Sequence, residues 1–180
     1  IMAPSNGEEL KNMIKLAQSI NNKPSAIRYP RDFAYEYNNN NNFQKILIGK
    51  GKILKKGKKI AFLNLGTRIN TVLEINEMIK NHHKLNCTVV DMRFAKPIDT
   101  KLIQNLNKTH DIFITIEENA IGGFSSQVND FLINKLNKTP KILNFFMKDE
   151  FIDQSDIDDQ YNKSGISKEL IFDKISMLLK

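Results

Sequence analysis

The sequence predicts an α/β fold, a mixed and mostly parallel sheet with helices on both faces. From Ile60 onward, short apolar runs of strand length alternate with stretches whose apolar residues recur at helical spacing. A glycine- and lysine-rich stretch before that alternation reads as a hairpin, which adds an antiparallel edge strand. The 180 residues are 41% apolar, enough to bury the core of one domain with a little chain to spare.

Residues 4–22 read as a helix. Leu10, Met13, Ile14 and Ala17 form its apolar stripe, and Ser5 with Glu8 has capping-box spacing. PSAIRYPR then reads as a short strand, with Pro24 before it and Pro30 ending it. Residues 33–44 are a linker containing five consecutive asparagines, Asn38 to Asn42, with no apolar face to bury. The domain boundary belongs there. The stretch 45–66 reads as strand, turn, strand, turn, strand, with glycines at 49, 51 and 57. A helix over 70–82 follows, then the strand CTVVDMRF, a short helix over 99–107 and the strand DIFITIEEN. A helix over 125–137, the strand KILNFFMK and an amphipathic helix over 166–179 complete the chain. There is no internal repeat.

No apolar run approaches the ~20 residues that span a bilayer. The chain starts on Ile1 rather than Met and passes directly into a helix. We therefore expect a piece of a longer protein, with any targeting segment upstream. Cys87 is the single cysteine and lies in the apolar run NCTVVDM. We read it as a buried inert thiol in a reducing compartment. The net charge of +7 accompanies a general excess of Asn and Lys. Seven lysines crowd residues 45–59 without interleaved aromatics, which reads as a solvated edge rather than a nucleic-acid surface. His82, His83 and His110 have no carboxylate or thiol at metal spacing, so no metal site is predicted.

Four junctions are candidates for chemistry. In RYPR, Pro30 stops the strand and throws Arg31 clear of the sheet end, where open α/β sheets bind ligands. Arg28 and Arg31 offer planar forks suited to phosphate, or to a surface acid; local features do not separate the two. EENAIGGFSS joins a strand to a helix that Ser125 or Ser126 can cap. Glu117 and Glu118 are neighbours on a strand, point to opposite faces and cannot act as a pair on one centre. NLGTRIN lacks the full dinucleotide-binding glycine spacing. Asp91 and Arg93 share one face at a strand end and are read as structural.

In order, IMAPS, AIRYPR, IGKGKIL, NLGT, VVDMRFAKPID, ITIEENAIGGFSSQVNDFL and DEFIDQ resemble the C-terminal part of the 1-deoxy-D-xylulose-5-phosphate synthase family. These are thiamine-diphosphate enzymes of transketolase type. The resemblance runs over nearly the whole chain. Transketolase itself typically has Ser-Arg-Gln where this chain has Tyr-Pro-Arg, and the pyruvate dehydrogenase β-subunit looks less similar in these motifs. IGGFSS is shorter than the family's usual loop.

The resemblance implies that residues 1–32 end the pyrimidine-binding domain and that 45–180 form a transketolase-type C-terminal domain. It implies a reaction in which pyruvate loses CO2 on thiamine diphosphate and its remaining carbons join D-glyceraldehyde 3-phosphate. The product, 1-deoxy-D-xylulose 5-phosphate, feeds isoprenoid, thiamine and pyridoxal synthesis. Arg31 matches the family arginine that binds the acceptor phosphate, and Arg28 stands beside it in support. Thiamine diphosphate and Mg²⁺ belong to parts of the enzyme outside this chain, so we expect no catalytic residue here and an inactive fragment. A homodimer is implied, with no nucleic acid or membrane partner. The asparagine run points to a biased genome and a relict-plastid, apicoplast-like stroma, or to a bacterial cytoplasm. The alternatives are a stand-alone oligomerisation or anion-binding module of this fold, or another transketolase-family member.

Overall fold

Ile60, Ala61, Phe62 and Leu63 are all fully buried, so their strand needs cover on both faces and partners on both sides. The computed structural model, which describes residues 1–31, 33 and 45–179, supplies both. The elements are α1 (Gly7–Gln18), β1 (Lys52–Lys55), β2 (Lys59–Asn64), α2 (Ile69–His83), β3 (Thr88–Asp91) and α3 (Thr100–Asn107). They continue with β4 (His110–Ile116), α4 (Phe124–Asn134), β5 (Lys141–Phe145), α5 (Ile157–Ser164) and α6 (Lys168–Leu179). Strand order is β1-β3-β2-β4-β5, with β1 antiparallel and the other pairings parallel.

Alternate residues of β2 face opposite cores. Ile60 and Phe62 pack with α2 and α6 through Val72, Ile75, Ile79, Ile171 and Ile175. Ala61 and Leu63 pack with α3 and α4 through Ile103, Leu106, Val128 and Leu132. The predicted α/β sheet with helices on both faces is therefore present. Among the described residues no helix is long and apolar enough to cross a membrane.

The predicted hairpin is corrected. β1 is the antiparallel edge strand, but it pairs with β3 and not with β2, because β3 lies between them. The connection at Gly57 crosses the start of β3, where Gly57 N donates to Thr88 Oγ1 and Lys58 N to Asn86 O. A Cβ on Gly57 would stand 2.1 Å from Asn86 O, so only glycine fits that crossing. The stretch before β1 is not a strand: Ile48 and Gly49 turn, and Ile46 is buried against Met2, Met13 and Phe94. Helix α5 was not predicted at all.

The capping-box expectation at Ser5 is also corrected. Asn6 caps α1 by accepting from Glu9 N, and Ser5 Oγ instead donates to Asp91 at 2.6 Å. The strand expected over PSAIRYPR reduces to one bridge between Met2 and Ile27. Prolines at 24 and 30 carry no N–H, so pairing is confined to the residues between them. There Met2 N donates to Ala26 O and Arg28 N to Met2 O. Met2 is bridged on its other side to Phe94. The predicted linker and domain boundary over 33–44 lie outside the described residues, apart from Phe33.

Candidate functional site

β2 and β4 are adjacent and parallel, yet the helices that follow them lie on opposite faces of the sheet. A crevice opens where the two connections diverge, outside the carboxyl ends of the strands. Gly66, Thr67 and Arg68 line it after β2, and Glu118 after β4. Gly66 adopts φ 86°, a conformation that favours glycine, and Asn64 Nδ2 holds its carbonyl at 2.8 Å.

Glu117 and Glu118 part as strand geometry requires. Glu117 is 1% exposed and accepts from Phe124 N at 2.9 Å and Ser125 N at 2.7 Å. It therefore caps α4 from the end of β4, the role expected of Ser125 or Ser126. Neither serine takes it; Ser126 Oγ accepts from Gly122 N in the loop. Gly123 is needed because a Cβ there would stand 2.4 Å from the Glu117 carboxylate.

Glu118 turns into the crevice. Thr67 Oγ1 donates to its carboxylate at 3.0 Å, and the Tyr161 hydroxyl, from α5, donates to the same group. Burial first, and the hydrogen bond to Glu118 second, push the Tyr161 hydroxyl up to about 12. The Arg68 guanidinium stacks 3.7 Å above the Tyr161 ring and donates to Ile166 O at 2.7 Å. This network ties the β2 and β4 connections to α5 and the start of α6.

Two adjoining cavities lie over it. The larger, about 1030 Å³, runs between α1, the crevice and the α5–α6 corner, with Tyr29, Thr67, Glu118 and Tyr161 among its walls. The smaller, about 190 Å³, is lined by Pro4, Arg28, Tyr29, Pro30, Gly66, Thr67 and Glu118. Arg28 thus stands at the crevice, its guanidinium nitrogen 3.6 Å from where a Cβ on Gly66 would sit. Arg31 is exposed and lines neither cavity. Of the predicted pair, Arg28 alone lines the crevice.

The other sequence candidates are structural. Asp91 accepts from Ser5 Oγ and from Arg93 N, and the Arg93 guanidinium pairs with Glu9. Cys87 is fully buried, and burial pushes its thiol up to about 12, which leaves it without thiolate at neutral pH. His110 bonds Thr88 Oγ1 at the opposite end of the sheet. Among the described residues no three His, Cys, Asp or Glu side chains cluster to hold a metal ion. In the crevice the Thr67 and Tyr161 hydroxyls both donate to the Glu118 carboxylate. The arrangement can bind and orient a ligand. Sequence reasoning missed Arg68, Glu118 and Tyr161 as one group because Tyr161 lies on the unpredicted α5.

A family model described as the C-terminal domain of transketolase matches residues 49–171. By sequence the chain is similar to the 1-deoxy-D-xylulose-5-phosphate synthase of Psychromonas ingrahamii. Identity is 38% over 177 residues, covering 95% of this chain and 27% of that protein. It is similar also to the chloroplastic 1-deoxy-D-xylulose-5-phosphate synthase 1 of Cannabis sativa. There identity is 36% over 171 residues, covering 93% of this chain and 24% of that protein. The chain thus spans about a quarter of the length of these relatives. By structure it resembles a split-gene transketolase, an inactive β4 tetramer. The TM-score is 0.83 at 24% identity, covering 99% of this chain and 57% of that one. That last likeness shows the fold.

Proposed function

The chain belongs to the transketolase C-terminal domain family, and on that premise we propose that it is the C-terminal part of a 1-deoxy-D-xylulose-5-phosphate synthase. The observation that carries the reading is the 38% identity to such a synthase over 95% of the chain. The full-length protein condenses pyruvate with D-glyceraldehyde 3-phosphate, releasing CO2. Thiamine diphosphate supplies the electron sink for the decarboxylation. The cofactor is held together with Mg²⁺. We assign both to the portion of the protein outside this chain.

This chain's own contribution is positioning. Arg31 reaches the acceptor phosphate with a planar fork, and Arg28 supports it from the crevice rim. The exposure of Arg31 suits a group that meets its ligand in a cleft completed by the rest of the enzyme. Fixing the phosphate aligns the aldehyde with its nucleophile, an effect on effective concentration. The pairing is homodimeric, in a relict-plastid stroma or a bacterial cytoplasm; relatives of both chloroplastic and bacterial kinds are known.

The test is a coupled assay with pyruvate and D-glyceraldehyde 3-phosphate. The full-length protein forms 1-deoxy-D-xylulose 5-phosphate, and residues 1–180 alone form none. Turnover by the isolated chain, or none by the full-length protein with thiamine diphosphate and Mg²⁺, contradicts the proposal.

A further inference from the structure

Arg93 is a non-glycine residue at φ 60°, the left-handed region that side chains rarely occupy. Such a conformation persists only where the surroundings hold it. Asp91 Oδ1 accepts from Arg93 N at 3.1 Å, and the Arg93 guanidinium pairs with Glu9 of α1. The turn leaves the Arg93 carbonyl free to accept from Ala3 N at 2.9 Å, while Ala95 N donates to Ile1 O at 3.0 Å. Met2, locked between these contacts, accepts from Arg28 N on its other side at 2.9 Å.

A continuous hydrogen-bonded path therefore runs from the end of β3, through residues 1–3, to the backbone of Arg28. Tyr29 and Pro30 follow with restricted backbones, since proline fixes its own backbone and restricts the residue before it, and Arg31 comes directly after them. Two side-chain ties flank the path, Ser5 to Asp91 and Glu9 to Arg93. The apolar contact of Met2, Met13, Ile46 and Phe94 completes the joint.

The Glu9–Arg93 pair is an unpromising device for stability. Both residues are more than 90% buried, and Glu9 Oε2 and Arg93 Nε have no hydrogen-bond partner among the described residues. Desolvation of such a pair offsets much of its attraction, so an apolar pair could serve stability as well. What the ion pair adds is a fixed geometry between α1 and the β3 turn.

We propose that Arg93, held by Glu9 and Asp91, is a positioning residue that sets where Arg28 and Arg31 stand relative to the acceptor. The proposal rests on the reading of Arg31 as the phosphate grip. It assigns the C-terminal domain a part in recognising the phosphorylated substrate without touching it.

The experiment compares two acceptors in the full-length enzyme, the phosphorylated aldehyde and the same aldehyde without its phosphate. Arg93→Met is expected to lower kcat/KM about tenfold for the phosphorylated acceptor and to change the other by less than about twofold. Arg93→Lys restores part of the loss. Should Arg93→Met not fold, Glu9→Gln, which keeps the shape of the side chain, is read the same way. Equal losses on both acceptors, or no loss on either, overturn the proposal. Arg31→Ala run beside them separates the two ideas. If it discriminates between acceptors while the Arg93 and Glu9 variants do not, only the positioning role falls. If Arg31→Ala itself does not discriminate, the phosphate grip and the positioning role fall together.

Discussion

Asp91 is 1% exposed, and burial raises its carboxyl from 3.8 to about 6, with Glu9 adding to the rise. The hydrogen bond from Ser5 and the charge of Arg93 oppose the shift without cancelling it. As pH rises from 3.8 towards 6, the unfolded chain loses this proton before the folded one does. Folding stability therefore falls through that window and stays lower above it. Roughly two pH units correspond to a loss on the order of 3 kcal/mol. Asp91→Asn keeps an acceptor for Arg93 N and removes the titration. Urea unfolding at pH 4 and pH 7 should show the variant gaining on the parent by about that amount. A difference that does not change with pH contradicts the assignment.

At this scale the sequence was informative about backbone constraint and silent about partners. Pro30 and the flanking arginines marked RYPR as a strand end. Nothing near Ser5 indicated that its hydroxyl would meet Asp91, 86 positions away, instead of capping α1. Alternation along a strand predicted that Glu117 and Glu118 would part. It did not predict that the first would cap a helix or that the second would meet Tyr161.

Helix α4 shows how one such side chain supports an element. Gly123 provides no side-chain cap, so the first N–H groups of α4 depend on the Glu117 carboxylate. Glu117→Ala leaves two buried N–H groups unpaired, and we expect a loss of about 2–4 kcal/mol in urea unfolding. Amide exchange at Phe124 and Ser125 should rise with it. A loss below about 0.5 kcal/mol would show that water or another group caps the helix equally well.

The elements carried by apolar periodicity, α2, α3, α4 and α6, were legible to within a few residues. Helix α5 was not, because IDDQYNKS has almost no apolar stripe and is held by its ends. Asp156 accepts from Asp159 N, and Gly165 closes the helix at φ 75°. Those two residues were the available signal. The hairpin failed for a different reason. A glycine between two strand-like runs suggests a tight turn, but β2 has apolar residues on both faces and is drawn to the middle of the sheet. β3, distant in sequence, then takes the position beside β1.

Across the whole molecule, the two apolar layers settle the architecture and the crevice follows from the topology. The order of strands and helices sufficed to predict both layers. It could not predict the crevice, which depends on the α2 and α4 connections leaving neighbouring strands on opposite faces. Nor could it predict that residues 1–31 are stitched to the β3 turn by backbone bonds, since those involve single bridges with no strand-length pattern. In the proposed reading the chain carries a short arginine-bearing segment, and it is about a quarter of the length of the synthases it matches.

The most direct measurement is steady-state kinetics of Arg31→Ala in the full-length enzyme, varying each substrate separately. KM for D-glyceraldehyde 3-phosphate is expected to rise about 30- to 100-fold, as when a charged hydrogen bond to phosphate is lost, while KM for pyruvate changes little. Equal effects on the two substrates, or none on the aldehyde, would contradict it.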